Sequence, residues 1–220
     1  MMPPGDAVRS GHLSRAAVVA AAVALADRTG IERVSMRGLA AELGVEAMSL
    51  YNHVRNKDDL IDCMVEAVVA RIAPPPPGAD WRGGLRTRAL SMRAAFLAHP
   101  WAPPLIVGRL NVGPNMLALF DATIGCLREA GFGYARADHL CNALDSLIYG
   151  FHLLERSFPL QPENYAEAAR GFLPRIDRAR LPHLHALSTL VAEGSHSGTH
   201  EFTAALDLML DAIDRCATGR

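Results

Sequence analysis

Apolar residues recur at intervals of three and four along most of this chain, and glycine or proline interrupts the runs. This spacing is typical of amphipathic helices. Alternation of β-branched and polar residues never lasts more than a few positions, and no hairpin signal such as Asn-Gly occurs. We therefore predict an all-α fold. The predicted helices span about residues 15–29, 36–43, 47–53, 57–72, 83–98, 102–110, 114–130, 134–157, 163–178, 183–193 and 200–217.

Capping residues and prolines divide the chain. Ser14 and Ser35 are placed to cap the first two helices. The fourth helix runs into Pro74–Pro77 and Gly78, and proline cannot continue a helix. This stretch is the clearest change in composition, so we place a domain boundary there. The predicted domains are residues 1–73, with 57–72 as a connecting helix, and residues 80–220.

The composition excludes several classes of protein. The 220 residues include 22 basic and 23 acidic side chains, a balance that excludes a disordered chain or a strongly basic coat protein. Four widely separated cysteines argue against a disulfide framework or a zinc cluster and favour a reducing compartment. No apolar run reaches the roughly 18 residues of a membrane span. The alanine-rich stretch 16–26 is similar to a secretory signal, but we favour a first helix, and we expect a cytoplasmic protein with no cofactor and no metal.

Residues 35–57 meet the requirements of a helix-turn-helix and read SMRGLAAELGVEAMSLYNHVRNK. Gly44 stands at the turn, where a left-handed backbone costs least without a Cβ. Leu39, Leu43 and Val45 supply apolar packing between the two helices, and Leu50 anchors the second helix inward. What remains outward is a compact surface that fits the major groove of a nucleic-acid duplex. This surface consists of Ala47, Met48, Ser49, Tyr51 and His53.

A polar cluster follows at the end of the third helix and the start of the fourth. His53, Arg55 and Lys57 add an imidazole and two cations to the phenol of Tyr51, and all could reach a phosphate backbone. Asn56 can cap the fourth helix, whose positive end would face the same phosphates. The first sixty residues hold seven basic and seven acidic side chains. We therefore expect affinity from a few placed cations rather than from long-range attraction.

The run G-V-E-A-M-S-L-Y-N-H-V-R-N-K-D-D-L, followed by an apolar helix, resembles the TetR family of bacterial transcriptional regulators. The strong resemblance covers about residues 14–72, and within the family it is closest to the tetracycline-repressor-like group. It implies contacts with base edges or the groove from four residues: Arg37, Ala47, Met48 and Ser49. It implies contacts with the DNA backbone from four others: Met36, Tyr51, His53 and Lys57. We expect specificity to depend on Arg37, which can bind guanine bidentately, and on apolar contact with thymine methyl groups.

The resemblance further implies a ligand-responsive regulator, most simply a repressor that binds a near-palindromic operator as a homodimer and is released by a small molecule. The helix 134–157 has an apolar seam beside a seam of small residues (Ala143, Ser146 and Gly150), and the helix 200–217 has two apolar seams. Two such faces on one helix indicate two partners. Packing inside one domain would explain this pattern. A four-helix interface between two subunits would also explain it, and the resemblance favours that interface.

A polar stripe on the 134–157 helix also has two explanations. It could be a solvated face. Alternatively, its side chains point into an effector cavity with residues of earlier helices, because a small-molecule site combines apolar walls with a few polar groups. The candidate effector-binding residues are Met92, His99, Asn115, Asn142, Asp145 and Tyr149.

Motifs of enzyme chemistry are weak in this sequence. His196 and His200 are four apart near Glu193, but they lie in a Gly- and Ser-rich stretch where helical spacing has no force. Gly131-Phe-Gly133 lacks the third glycine and the preceding strand of a dinucleotide fingerprint. The competing hypothesis is an all-α enzyme or ligand-binding protein whose N-terminal hairpin is only structural. That hypothesis predicts an occluded recognition helix.

Overall fold

In the computed structural model of the protein, residues 13–110, 112–160, 162–198 and 201–218 are described. The regular elements within these residues are all helical, which confirms the predicted fold class. The α-helices are α1 (Arg15–Thr29), α2 (Met36–Leu43), α3 (Ala47–Leu50), α4 (Lys57–Val69), α5 (Trp81–Ala98), α6 (Ala102–Gly108), α7 (Pro114–Glu129), α8 (Tyr134–Ser157), α9 (Tyr165–Phe172), α10 (Pro182–Ala192) and α11 (Phe202–Thr218). Short 3₁₀ turns occur at Ile31–Arg33, Pro162–Asn164 and Leu173–Arg175.

Some helix ends differ from the sequence prediction. α3 is a single turn, and the chain continues from it in turns up to His53. α5 begins at Trp81, because the carboxylate of Asp80 accepts a hydrogen bond from the backbone N–H of Gly83 at 2.9 Å. The prediction of one helix over 163–178 is wrong. Proline has no N–H to donate, so the chain leaves α9 for a 3₁₀ turn just before Pro174. The predicted start of the last helix at 200 lies outside the described residues.

Side-chain caps fix the starts of α1, α2 and α4. The hydroxyl of Ser14 accepts from the N–H of Ala17, and that of Ser35 accepts from the N–H of Gly38, each at 3.1 Å. Asn56 caps α4 in the same way. These bonds satisfy N–H groups that a helix leaves without an internal partner. The starts of these three helices are therefore determined by the local sequence.

The described residues form two compact units that divide between Asp138 and His139, inside α8. The Pro-rich stretch, where the sequence places a domain boundary, lies within the first unit, because α4 packs against α5, α6 and α7 as well as against α1. In this first unit, α1 contacts both α2 and α4. The buried residues of α1 are Val18, Val19, Ala22, Val23 and Ala26.

The second unit has its own apolar core. α8 contributes the buried residues Cys141, Leu144 and Ile148, and the buried residues of α11 include Leu206 and Leu210. Phe151 and Phe202 meet edge to face, with ring centroids 5.4 Å apart. Within the described ranges, no helix combines the length and the apolar character needed to cross a membrane.

The turn between α2 and α3 generates a stability prediction. Gly44 has φ 66° and ψ 32°, and a Cβ added there would meet nothing within 4 Å. Gly44→Ala should therefore cost only the left-handed backbone, about 1–2 kcal/mol of unfolding free energy. Gly125→Ala is the matched control in α7, where an added Cβ also meets nothing, and it should stabilise by up to about 1 kcal/mol. Urea denaturation measures both, and equal effects of the two substitutions would contradict this account of the turn.

Candidate nucleic-acid interface

α2, the Gly44 turn and α3 form a helical hairpin whose inner side is closed. Leu39 and Ala40 of α2 and Leu50 of α3 are buried. The N–H of Val45 donates to the carbonyl of Ala40 at 3.0 Å, which closes the end of α2 behind the glycine. α3 is held by its one buried side chain, Leu50, and Met48 is its one exposed side chain.

The outer side of this hairpin is accessible. Met48 is 75% exposed and Tyr51 is 44% exposed, although both are large and largely apolar. Arg37 and Lys57 are exposed as well. The other four residues predicted to contact DNA are half-buried; they are Met36, Ala47, Ser49 and His53. Among the described residues, therefore, the occlusion that the structural-hairpin hypothesis predicts is not seen.

Asp59 organises the loop between α3 and α4. Its carboxylate accepts from the backbone N–H of Arg55 at 2.8 Å and from the Arg55 guanidinium at 3.2 Å, and the Arg15 guanidinium lies 3.4 Å away. Its own N–H donates to the side chain of Asn56 at 2.8 Å. The backbone hydrogen bond from Arg55, with the two guanidinium groups, holds the pKa of the Asp59 carboxyl below its usual value. Asp59 was not predicted from the sequence, although an acidic residue three positions after the Asn56 cap is a capping-box signal.

Three acidic residues of α4 face the segment that joins α6 to α7. Asp58, Asp62 and Glu66 follow one another at intervals of four, so they share one side of the helix. Arg109, at the end of α6, donates to Asp62 at 2.8 Å and lies 3.5 Å from Asp58. The carboxylate partners raise the pKa of Arg109. We call these three residues the α4 acidic stripe.

Glu66 of α4 caps the start of α7, because the residue at the cap position of α7 is a glycine and has no side chain. Its carboxylate accepts from the N–H of Asn115 at 2.9 Å and from the N–H of Met116 at 3.3 Å. The cap residue is Gly113, and a Cβ there would lie 2.1 Å from the Glu66 carboxyl carbon. Glycine at 113 thus leaves room for a carboxylate from another helix. Through Arg109 and Glu66, α4 is bound both to the end of α6 and to the start of α7.

The predicted effector residues are dispersed. Met92 and His99 are buried in the first unit. Asn115 takes part in the Glu66 contact and lines an open groove of about 690 Å³ between α1, α4 and the start of α7. The remaining three lie on α8 in the second unit, where Asn142 is exposed and Asp145 and Tyr149 are half-buried.

The second unit contains a groove of about 330 Å³, whose lining includes Phe158, Tyr165, Phe172 and Leu187. None of the six candidate effector residues lines this groove. In the part of the chain that the structure describes, no three His, Cys, Asp or Glu side chains are grouped so that they could hold a metal ion. His200, one of the two histidines weighed as metal ligands, lies outside that part.

Two family models match the chain. The model of bacterial regulatory proteins of the tetR family matches residues 18–64, which contain the hairpin and most of α4. The model of the tetracyclin repressor-like C-terminal domain matches residues 73–216. The chain belongs to the TetR family of bacterial transcriptional regulators. The predicted family is confirmed, and membership of a family of DNA-binding regulators favours a ligand-responsive transcriptional regulator over the all-α enzyme.

Individual relatives agree with this assignment. An HTH-type transcriptional regulator of Saccharopolyspora erythraea is 41% identical over 129 residues, which are 58% of this chain and 54% of that protein. The match therefore spans about half the length of that relative. The class E tetracycline repressor protein of Escherichia coli is 32% identical over 66% of this chain and 70% of its own. The TetR family protein ActR of Streptomyces coelicolor, in complex with (S)-DNPA, has a TM-score of 0.77 at 25% identity and covers 94% of this chain and 99% of its own.

The contacts of Asp59 generate a pH-dependent prediction. Asp59→Asn keeps the size of the side chain but loses the charge-assisted hydrogen bonds, which should cost about 1.5–3 kcal/mol of unfolding free energy at pH 7. Because the folded-state pKa is lowered, this contribution is complete above the ordinary carboxyl value of 3.8 and is lost as pH falls through the lower folded value. Urea denaturation at pH 7 and at pH 3 should show the gap between wild type and variant shrinking in acid.

The matched control is Asp121→Asn, at an exposed position of α7, where a change within about 0.5 kcal/mol is expected. A gap between Asp59→Asn and wild type that is the same at both pH values would contradict the assigned role of the carboxylate.

Proposed function

We propose that this regulator represses transcription by binding a near-palindromic operator as a homodimer, and that a small-molecule effector releases it. The observation that carries the proposal is the outer surface of α3. Met48 is three-quarters exposed on a helix whose only buried side chain is Leu50. An exposed apolar residue at the tip of a closed hairpin is suited to contact a partner surface, and thymine methyl groups in the major groove offer one.

The proposed DNA contacts fall into two sets. Arg37, Ala47, Met48 and Ser49 contact base edges or the groove, with Arg37 as the residue that can bind guanine through two hydrogen bonds. The backbone contacts come from a second set: Met36, Tyr51, His53 and Lys57. The Asn56 cap directs the start of α4 and its positive end toward the same phosphates. Binding to chromosomal DNA places the protein in the cytoplasm.

The second unit supplies a surface for the second subunit. On α8, the small side chains of Ala143 and Ser146 are exposed, and on α11 Ala212 and the 69%-exposed Leu208 are exposed. Small residues allow close approach of helices, so these faces suit a four-helix interface between two copies. A twofold dimer of this kind presents two α3 helices to half-sites about 34 Å apart.

The route of release runs through α4. We assign DNA binding to residues 1–73, with 57–72 as the connecting helix, and effector binding and dimerisation to residues 80–220. An effector that displaces α6 or α7 pulls on the α4 acidic stripe through Arg109 and the cap at Glu66. The separation of the two α3 helices then changes, and differential affinity for the two arrangements accounts for release. Met92 in the first unit and, separately, Asn142, Asp145 and Tyr149 on α8 in the second unit stay candidates for contact with the effector, and Asn115 is assigned to the α7 cap.

Gel retardation of the DNA upstream of the gene tests the proposal. Wild type should retard a specific fragment, and Arg37→Ala should weaken that binding by about 1–3 kcal/mol, because one bidentate base contact is lost. The control is Arg178→Ala, which removes an equally charged, exposed side chain outside the hairpin and should leave affinity unchanged at the same salt concentration.

Two outcomes would contradict the proposal. One is a folded wild type that retards no upstream fragment. The other is an equal loss of affinity in Arg37→Ala and Arg178→Ala, since a general charge effect would then replace contact by the hairpin.

A further inference from the structure

A second polar cluster in the first unit joins α1 to the corner between α5 and α6. Asp27 lies in the last turn of α1, His99 follows α5, and Trp101 is the residue that precedes α6. One carboxylate oxygen of Asp27 accepts from the indole N–H of Trp101 at 2.7 Å and lies 2.8 Å from Nδ1 of His99. His99 and Trp101 are almost completely buried, at 3% and 7% exposure.

The tautomer of His99 follows from its neighbours. Nε2 lies 2.9 Å from a guanidinium nitrogen of Arg71, and arginine has no acceptor. Nε2 therefore accepts from Arg71, and Nδ1 carries the proton that it donates to Asp27. Both ring nitrogens are used, so His99 connects the end of α1 to the residues just after α4.

α6 is consequently bound at each end to a different helix of the DNA-binding part. At its start, Trp101 binds Asp27 of α1. At its end, Arg109 binds the acidic stripe of α4. α6 has seven residues. If it shifts along its axis, the distances in both contacts change.

We propose that Asp27, His99 and Trp101 are positioning residues that bind α1 to the start of α6, so that α6 moves α1 and α4 together and the hairpin travels as one body. This inference rests on the proposed function, because it assigns to these residues a part in setting operator affinity. They act on DNA only through α1. Loss of the connection leaves the hairpin less well positioned for the operator, which weakens binding without removing a DNA contact.

The test uses the two tryptophans of the chain, Trp81 and Trp101. In a Trp81→Phe background, Trp101 is the only source of indole emission. Addition of the upstream duplex that wild type retards should shift that emission, and Asp27→Asn in the same background should remove the shift. Trp101→Phe keeps an aromatic ring but loses the N–H, and it should lower operator affinity about three- to tenfold. Trp81→Phe alone is the matched control and should leave affinity unchanged.

Hydrogen exchange on the full-length protein separates this inference from the proposed function. Amides in the last turn of α1 should exchange faster in Asp27→Asn and in Trp101→Phe than in wild type or Trp81→Phe. If exchange behaves in this way but wild type binds no upstream DNA, the connection stands and the operator proposal fails. If exchange of α1 is the same in all four proteins, or if operator leaves Trp101 emission unchanged, the inference is overturned.

Discussion

α4 must satisfy two sets of neighbours at once, and this constraint shapes the rest of the first unit. The helix buries Leu60, Met64 and Val68, and it packs against α1, α5, α6 and α7. A neighbouring face carries the acidic stripe, whose carboxylates bind Arg109 and cap α7. The apolar face is suited to hold the helix permanently. The polar face connects α4 to the end of α6 and to the start of α7.

The outer surface of α3 is held in place by local interactions, each of which contributes little free energy. A one-turn helix has almost no stability of its own, so α3 is held by Leu50, by the turn at Gly44 and by the loop that Asp59 organises. The first sixty residues carry no net charge. Affinity in such a domain comes from the position of a few groups, and so the contacts that fix those positions matter as much as the contacts with DNA.

Sequence reasoning succeeded where the determinant is local. The caps at Ser14, Ser35 and Asn56 and the left-handed Gly44 lie within a few residues of the structure they specify. It did not reach contacts between partners that are distant in sequence. Helical spacing places a side chain on a face but does not say which helix that face meets, so the contact of His99 with Asp27, 72 residues away, was not predicted. The acidic stripe was visible as a spacing of four, but its partners Arg109 and Asn115 were not.

In the proposed complex, two copies of the hairpin contact one duplex together, each through the outer surface of α3. Hydroxyl-radical footprinting of the upstream DNA tests it most directly, because protection reports where the protein covers the backbone. We expect two protected patches related by a dyad, with centres about one helical turn, roughly 10 base pairs, apart. A single protected patch under conditions where the protein is a folded dimer would contradict it.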